Sequence, residues 1–211
     1  SLVTIYYGRL RIMNLSKVSK SGLLTYLIFS GVSASAQWSL DNETSVLSFV
    51  TVKAEHIAEA HTFTSLNGSL GEDGKLIVEV QLASVDTLIP IRNERMRDML
   101  FEIDLFPVAA LSAEVDLEEL SSLGAGGWVD QEIPLTLVLH GNTVGMDAAV
   151  RITQLDGGYS ASSLTPLILS ADNVGLAAGV EKLRQVAGLP SISRSVPVSF
   201  NVTFREENGG S

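Results

Sequence analysis

The chain has 211 residues, 45% of them hydrophobic, which suits one globular domain with a sizeable core. It carries 24 acidic against 14 basic residues, a formal net charge of −10, so a nucleic acid or an anionic membrane surface would repel it. Because it contains no cysteine, disulfides, thiolate chemistry and a lipid anchor on cysteine are excluded.

The N-terminal residues have the pattern of a secretory leader. Lys17 and Lys20 precede a mostly apolar run at 22–32, and Ala34-Ser35-Ala36 then supplies the small residues that a signal peptidase accepts. The run is shorter than the ~20 residues of a membrane-spanning helix. We therefore predict a start at Met13, cleavage after Ala36 and export to the periplasm. The cleaved chain would keep ten basic against 24 acidic residues, a formal charge of −14.

The rest of the chain predicts a single β-rich domain at 37–205 and a polar tail at 206–211, with residues 1–36 as extension and signal peptide. Apolar residues alternate with others in the two-residue period of half-buried strands. The predicted strands are 45–53, 75–86, 111–117, 133–139, 144–152 and 196–204. Glycine-containing turns separate most of them, which favours antiparallel pairing.

Two segments follow a helical period instead. Met96, Met99, Leu100 and Ile103 form one apolar stripe after Pro90. A second short helix is predicted within 175–189.

The first of these segments also gathers three arginines, Arg92, Arg95 and Arg97, in an acidic chain. They indicate either an anion site or the solvated face of the helix. Glu94 and Asp98 stand at i, i+3 spacing from Arg97 and Arg95, within reach of an ion pair on a helix.

About eight strands can close into a barrel or form a two-sheet sandwich. Their aliphatic inner faces could meet in a filled core or line a tunnel for an apolar guest, and the sequence pattern leaves both open. A plain core is the commoner outcome.

Catalytic and metal-binding motifs are absent from the sequence. His56 and His61 lie near Glu55 and Glu59, but the order and the five-residue step do not match a helical zinc pair. No nucleophile elbow, phosphate loop or dinucleotide fingerprint occurs. We predict no catalytic residue, no metal site, no cofactor and no enzymatic activity.

Several short motifs, in their order along the chain, resemble the YceI family over about residues 38–204. These motifs are Ser45-Val46-Leu47-Ser48-Phe49, Ala83-Ser84-Val85-Asp86-Thr87, Ile91-Arg92-Asn93-Glu94-Arg95-Met96-Arg97, Phe106-Pro107, Leu137-Val138-Leu139-His140-Gly141, Ser170-Ala171-Asp172, Gly188-Leu189-Pro190-Ser191-Ile192-Ser193 and Val196-Pro197-Val198.

The resemblance implies a mainly β protein, a single antiparallel eight-stranded lipocalin-like barrel with one or two short helices, exported and enclosing a long apolar tunnel. It implies an isoprenoid, quinone-like or other apolar lipid as ligand, and a membrane cytochrome b561 as a partner. The arginine-rich segment would form a helical excursion beside the barrel, braced through Asp86, Glu94 or Asp98.

We therefore predict an exported protein that sequesters or carries an isoprenoid or similar amphiphile. The alternative is a stress-related interaction module with a filled barrel and no lipid. Self-association as a homodimer is left open. Met96 and Leu100 are expected to close one end of the tunnel, since methionine adapts to varied apolar shapes. The predicted ligand-binding residues are Phe49, Val78, Val80, Met96, Leu100, Leu137, Leu139, Phe200 and Val202.

Overall fold

The computed structural model describes residues 36–207, so the predicted leader apart from Ala36 and most of the polar tail lie outside the described residues. The strands are β1 (Ala36–Leu40), β2 (Val46–Lys53), β3 (Ile57–Phe63), β4 (Leu66–Gly71), β5 (Lys75–Gln81), β6 (Val85–Asp86), β7 (Val108–Glu114), β8 (Trp128–Leu139), β9 (Asn142–Leu155), β10 (Gly158–Ser163), β11 (Leu167–Ser170) and β12 (Ser195–Glu206). The helices are α1 (Pro90–Arg95), which continues as a π-helical segment over Met96–Phe101, then α2 (Leu117–Ser121) and α3 (Ala177–Val186). Within the described range no helix is both long and apolar enough to cross a bilayer.

The strands form one closed antiparallel barrel. Four consecutive pairs, β1 with β2, β3 with β4, β5 with β6 and β10 with β11, each act as one long strand interrupted by a bend. With β7, β8, β9 and β12 they make eight strands, and pairing of Trp38–Leu40 in β1 with 204–206 in β12 closes the ring. The predicted eight-stranded barrel is confirmed, and the two-sheet sandwich is not formed.

The clearest alternation in the sequence folds as expected. Five apolar residues of β12, spaced by two, all face the interior, because successive side chains of a strand point to opposite faces. They are Val196, Val198, Phe200, Val202 and Phe204.

Two hairpin turns use residues with positive φ. The β8–β9 turn has His140 at φ +50° and Gly141 at +74°, and the β2–β3 turn has Ala54 at +48° and Glu55 at +68°. The β8–β9 turn has two residues between the paired Leu139 and Asn142, and positive φ at both is typical of two-residue turns that match the twist of paired strands. The β2–β3 turn is one residue longer, with three residues between the paired Lys53 and Ile57.

Five strands of the barrel were not predicted: β1, β3, β4, β10 and β11. In β3 the inner face carries Glu59 and His61 beside Phe63, while Ala58 and Ala60 are exposed. A polar inner face and small outer residues remove the alternation by which a strand is recognised.

The helices cover the barrel. Met96 and Leu100 are buried as the stripe predicted, but the third buried residue of the segment is Phe101 rather than Ile103. The reason is the wider π-helical turn, in which residues five apart share a face. In α3, Gly179 lies so close to the π-helical segment that an added Cβ would stand 2.8 Å from the Cα of Leu100.

Candidate functional site: an apolar cavity with a polar mouth

The barrel encloses a cavity of about 570 Å³. This volume lies within the range of about 300–1,000 Å³ usual for small-molecule sites. Aliphatic and aromatic side chains from every part of the ring make up most of the wall. The interior is therefore hollow rather than filled with side chains.

All nine residues predicted to bind a ligand lie on the wall of this cavity. They are Phe49, Val78, Val80, Met96, Leu100, Leu137, Leu139, Phe200 and Val202. Strand register explains why they come together: Val78 pairs with Leu111, and Leu111 with Leu137, so residues far apart in sequence form one inward row. Their role in binding stays a prediction.

One end of the cavity is sealed by buried side chains. Leu120 of α2 is buried, as are Tyr159 and Phe204, and all three line the cavity. Behind them Trp38 packs edge-on against Tyr159, with 5.4 Å between ring centroids.

The β2–β3 hairpin changes from apolar to charged along the wall. Its inward pairs begin with Leu47 and Phe63, and Phe49 next to them pairs with His61. Beyond them Thr51 pairs with Glu59, followed on the inner face of β2 by Lys53. An amphiphile would find hydrocarbon at one end of this hairpin and polar groups at the other.

Glu59 is the centre of the charged group. Its Oε2 accepts from Lys53 Nζ at 2.6 Å and from Arg92 Nη1 at 2.8 Å. The hydrogen bond from Lys53 and the charge of Arg92 lower the pKa of Glu59, so the carboxylate is ionised at neutral pH.

His61 is a buried polar side chain within this wall, only 4% exposed. Its Nε2 lies 2.9 Å from Thr51 Oγ1, while its Nδ1 is buried without a hydrogen-bond partner among the described residues. Burial first, and then the charge of Arg92, lower its pKa. The ring is therefore neutral at pH 7, with one unused polar atom.

The mouth of the cavity is marked by residues that line it and still reach solvent. Ile89 and Ile91 are 43% and 52% exposed, and both contribute to the wall. Arg92 and Arg95 stand beside them on the same wall. The segment before β12 forms another side, where Ser193 donates its N–H to the carbonyl of Val52.

The arginine-rich segment is braced, but not through the predicted partners. Arg92 pairs with Glu59 and also donates from Nη2 to the carbonyl of Thr87 at 2.6 Å. Arg97 donates from Nε to the carbonyl of Asn93. Among the described residues neither Glu94 nor Asp98 forms a salt bridge.

Within the described part of the chain Asp86 does not pair with an arginine. Its side chain binds the loop between β6 and α1. Its Oδ1 accepts from Leu88 N–H and from Asn93 Nδ2. The prediction of a braced helical excursion was right, but its acidic partner comes from β3. That strand was not recognised in the sequence, so Glu59 was missed.

The three histidines occupy different surroundings. His61 contacts Thr51, His140 contacts Glu102, and the side chain of His56 is exposed. No serine hydroxyl within the described range is hydrogen-bonded to a histidine ring, and no three His, Asp or Glu side chains there gather as metal ligands.

Comparison with known proteins identifies the domain family and similar solved structures. A family model described as a YceI-like domain matches residues 38–204. A polyisoprenoid binding domain from Saccharophagus degradans, implicated in plant cell wall breakdown, is 35% identical with a TM-score of 0.79, covering 82% of this chain and 99% of that one. No curated protein matches the chain.

Two more distant structures share the fold alone. BcnA of Burkholderia cenocepacia is 16% identical with a TM-score of 0.59, over 78% of this chain and 98% of that one. The YCEI protein of Campylobacter jejuni is 13% identical with a TM-score of 0.52, over 70% of this chain and 85% of that one. Since the family model spans the barrel from β1 to β12, the chain belongs to the YceI-like domain family.

Proposed function

We propose that the protein is an exported carrier that holds an isoprenoid chain, a quinone-like molecule or a similar amphiphile inside the barrel. The observation that carries the proposal is the hollow apolar interior of about 570 Å³, whose charged lining residues gather toward the mouth. The similar domain from Saccharophagus degradans binds polyisoprenoids, which supports the same class of cargo here.

The driving force is removal of the hydrocarbon chain from water. Burial of apolar surface contributes about 25 cal/mol per Å². Contacts with Leu, Val and Phe side chains are not directional, so the wall can accommodate hydrocarbon chains of related shape. The head group belongs at the polar end, where His61 has an unused Nδ1 and Arg95 forms no ion pair among the described residues.

Native mass spectrometry after gentle purification, followed by organic extraction, tests for cargo. We expect an added mass on the wild-type protein that the extract identifies as an isoprenoid or related lipid. A bare protein mass from several expression hosts, with no uptake of added isoprenoid alcohol or quinone, would contradict the proposal.

A matched pair of variants on β5 strengthens the experiment. Val78→Trp places an indole in the cavity and should reduce the cargo-bound fraction. Ile77→Trp places it outside, because Ile77 is 48% exposed and faces away from the cavity, and should leave the cargo in place.

Export to the periplasm is supported by the leader-like pattern before Gln37. If it is correct, the mature protein will be recovered in the periplasmic fraction with Gln37 as its first residue. Recovery in the cytoplasm with an intact N-terminus would contradict it.

A binding role without catalysis fits the surroundings of the histidines, since none contacts a serine hydroxyl in the described range. Replacing each histidine by alanine should leave the turnover of a generic ester unchanged.

A cytochrome b561 partner and a homodimer stay predictions, to be tested by pull-down at low and high salt and by native mass. The interaction module with a filled barrel is less favoured, because the barrel is hollow.

A further inference from the structure

The loop before α1 presents apolar side chains to solvent at the mouth of the cavity. We call Leu88–Ile91, which is the end of this loop together with the first two residues of α1, the mouth loop. Leu88 is 85% exposed, and its neighbours Ile89 and Ile91 are both exposed and part of the cavity wall. A continuous apolar surface therefore runs from the interior of the barrel to the outside.

The mouth loop is held in one conformation by polar side chains beneath it. Asp86 accepts from Leu88 N–H at 2.9 Å, and Asn93 accepts from Thr87 N–H at 2.9 Å. Arg92, fixed by Glu59, donates to the Thr87 carbonyl. Thr87 itself is among the most deeply buried residues of the described chain. These hydrogen bonds fix the backbone around Leu88, so its exposed side chain is held in a defined position.

Leucine at this position is unfavourable for the fold. Leu88 has φ of +63°, a left-handed conformation that glycine and asparagine adopt more easily. Its side chain is also almost fully in water, so neither backbone conformation nor packing explains why it is leucine. Strain combined with exposed apolar surface points to a role of the side chain in contact with a partner.

The charges at the mouth indicate the chemistry of that partner. Lys53, Arg92 and Arg95 line the mouth together with Glu59, and Asp86 lies beneath the loop, so the mouth carries charges of both signs. The chain as a whole carries a formal charge of −10, which would repel a strongly anionic surface. A zwitterionic lipid bilayer suits both properties, because it accepts apolar side chains at its surface and offers phosphates to guanidinium groups.

We propose that the mouth loop docks on the surface of a zwitterionic lipid bilayer, so that the cavity opens toward the lipid from which cargo enters. The passage of cargo through this mouth rests on the proposed carrier function. The docking itself does not, since it needs only the exposed loop and the charges beside it.

The absence of native cysteine allows a direct test. Leu88→Cys and Leu105→Cys, each labelled with a polarity-sensitive fluorophore, place one probe on the mouth loop and another on an exposed leucine outside it. The full-length, cargo-free protein is mixed with vesicles of phosphatidylethanolamine and phosphatidylcholine. We expect a blue shift, and quenching by a lipid-phase quencher, for the probe at 88 only. A probe at 88 that stays in water, or equal responses at the two sites, overturns the proposal.

A second variant keeps the test independent of labelling. Leu88→Asn suits the left-handed backbone and removes the apolar tip, so the variant should fold and bind these vesicles about tenfold more weakly, as expected for loss of one buried leucine. Leu105→Asn should bind as the wild type does. Unchanged vesicle binding by Leu88→Asn contradicts bilayer docking. The same holds if a protein partner, but not the vesicles, shields the probe at 88 from water.

The two proposals can fail separately. Docking without any cargo by native mass spectrometry would contradict the carrier function alone. Cargo without docking would leave the carrier function and overturn the role of the mouth loop.

Discussion

Leu88 combines an exposed side chain with a left-handed backbone, and this allows a prediction about stability. A left-handed conformation costs an L-residue roughly 1–2 kcal/mol, less for asparagine. We expect Leu88→Asn to raise the free energy of unfolding by about 1 kcal/mol, because the exposed leucine contributes little packing. Urea denaturation checks this. A loss of stability would show that the leucine side chain supports the fold, and the argument for a docking role would lose its basis.

His61 makes the stability of the barrel dependent on pH. Its pKa in the folded protein is lowered, mainly by burial and then by the charges of Arg92 and Lys53, although the carboxylates of Glu59 and Asp86 act in the opposite direction. Below about pH 6.5 the unfolded chain therefore binds a proton that the folded protein does not. The free energy of unfolding should fall as pH decreases from 6.5 toward 5, by at most about 1.4 kcal/mol per pH unit for this one group.

Replacing the ring isolates this contribution. His61→Gln should lose the part of the slope that belongs to His61, as measured by urea denaturation between pH 5 and pH 7.5. Thr51→Val is the control: it removes the hydrogen bond to Nε2 but keeps the titrating ring, and should keep the slope. Equal slopes in wild type and His61→Gln would contradict a lowered pKa.

The residues of the wall could be predicted from sequence only where they are apolar. Alternation in β12 and β8 identified Phe200, Val202, Leu137 and Leu139, because a regular pattern fixes which side faces inward. His61 did not follow such a pattern. Its position on the wall depends on pairing with Phe49 across the hairpin, which sequence spacing alone does not reveal.

Among the elements, α3 gives a prediction in which two effects oppose each other. Gly179→Ala favours the helix by about 1 kcal/mol. The added methyl group, however, would stand 2.8 Å from both the Leu100 Cα and the Met99 carbonyl oxygen, and overpacking costs typically 1–3 kcal/mol. We expect a net loss of up to about 2 kcal/mol in thermal or urea unfolding, with α3 moved away from the π-helical segment.

The exposed neighbour on the same helix supplies the control. Ala178→Gly should cost about 1 kcal/mol through helix propensity alone. If Gly179→Ala instead stabilised the protein, the contact between α3 and the π-helical segment would be looser than the structure has it.

Strands whose apolar residues alternate regularly could be predicted from the sequence. Strands in which polar or small residues interrupt the alternation could not. The six predicted strands left barrel and sandwich open, and the eight-stranded barrel was implied by the family resemblance. In the structure β3, β4 and β10 contribute equally to the ring. In β4, Gly68 stands between the buried Leu66 and Leu70 because an added Cβ would lie 2.9 Å from the Ile77 carbonyl oxygen, so the alternation is hidden by a close approach of strands. The closure of the barrel depends on such tertiary contacts.

At the scale of the whole molecule, the hollow interior makes a prediction that a filled barrel does not. Ala109 and Ala148 are both buried alanines of the barrel, but only Ala109 lines the cavity. A phenyl ring at 109 should enter the void and gain contacts with hydrocarbon, whereas a ring at 148 meets atoms already in place. We expect Ala109→Phe to keep or increase the free energy of unfolding of the cargo-free protein. Ala148→Phe should lose about 1–3 kcal/mol.

The same pair of variants connects the void with function. Ligand that binds only the folded protein raises its stability by an amount that grows with ligand concentration. Added isoprenoid should therefore raise the melting temperature of the wild type, and raise that of Ala109→Phe less, because the ring occupies part of the space that the chain needs. Equal destabilisation by the two phenylalanines would mean that the interior is packed in solution. An equal ligand response in wild type and Ala109→Phe would place the cargo elsewhere on the protein.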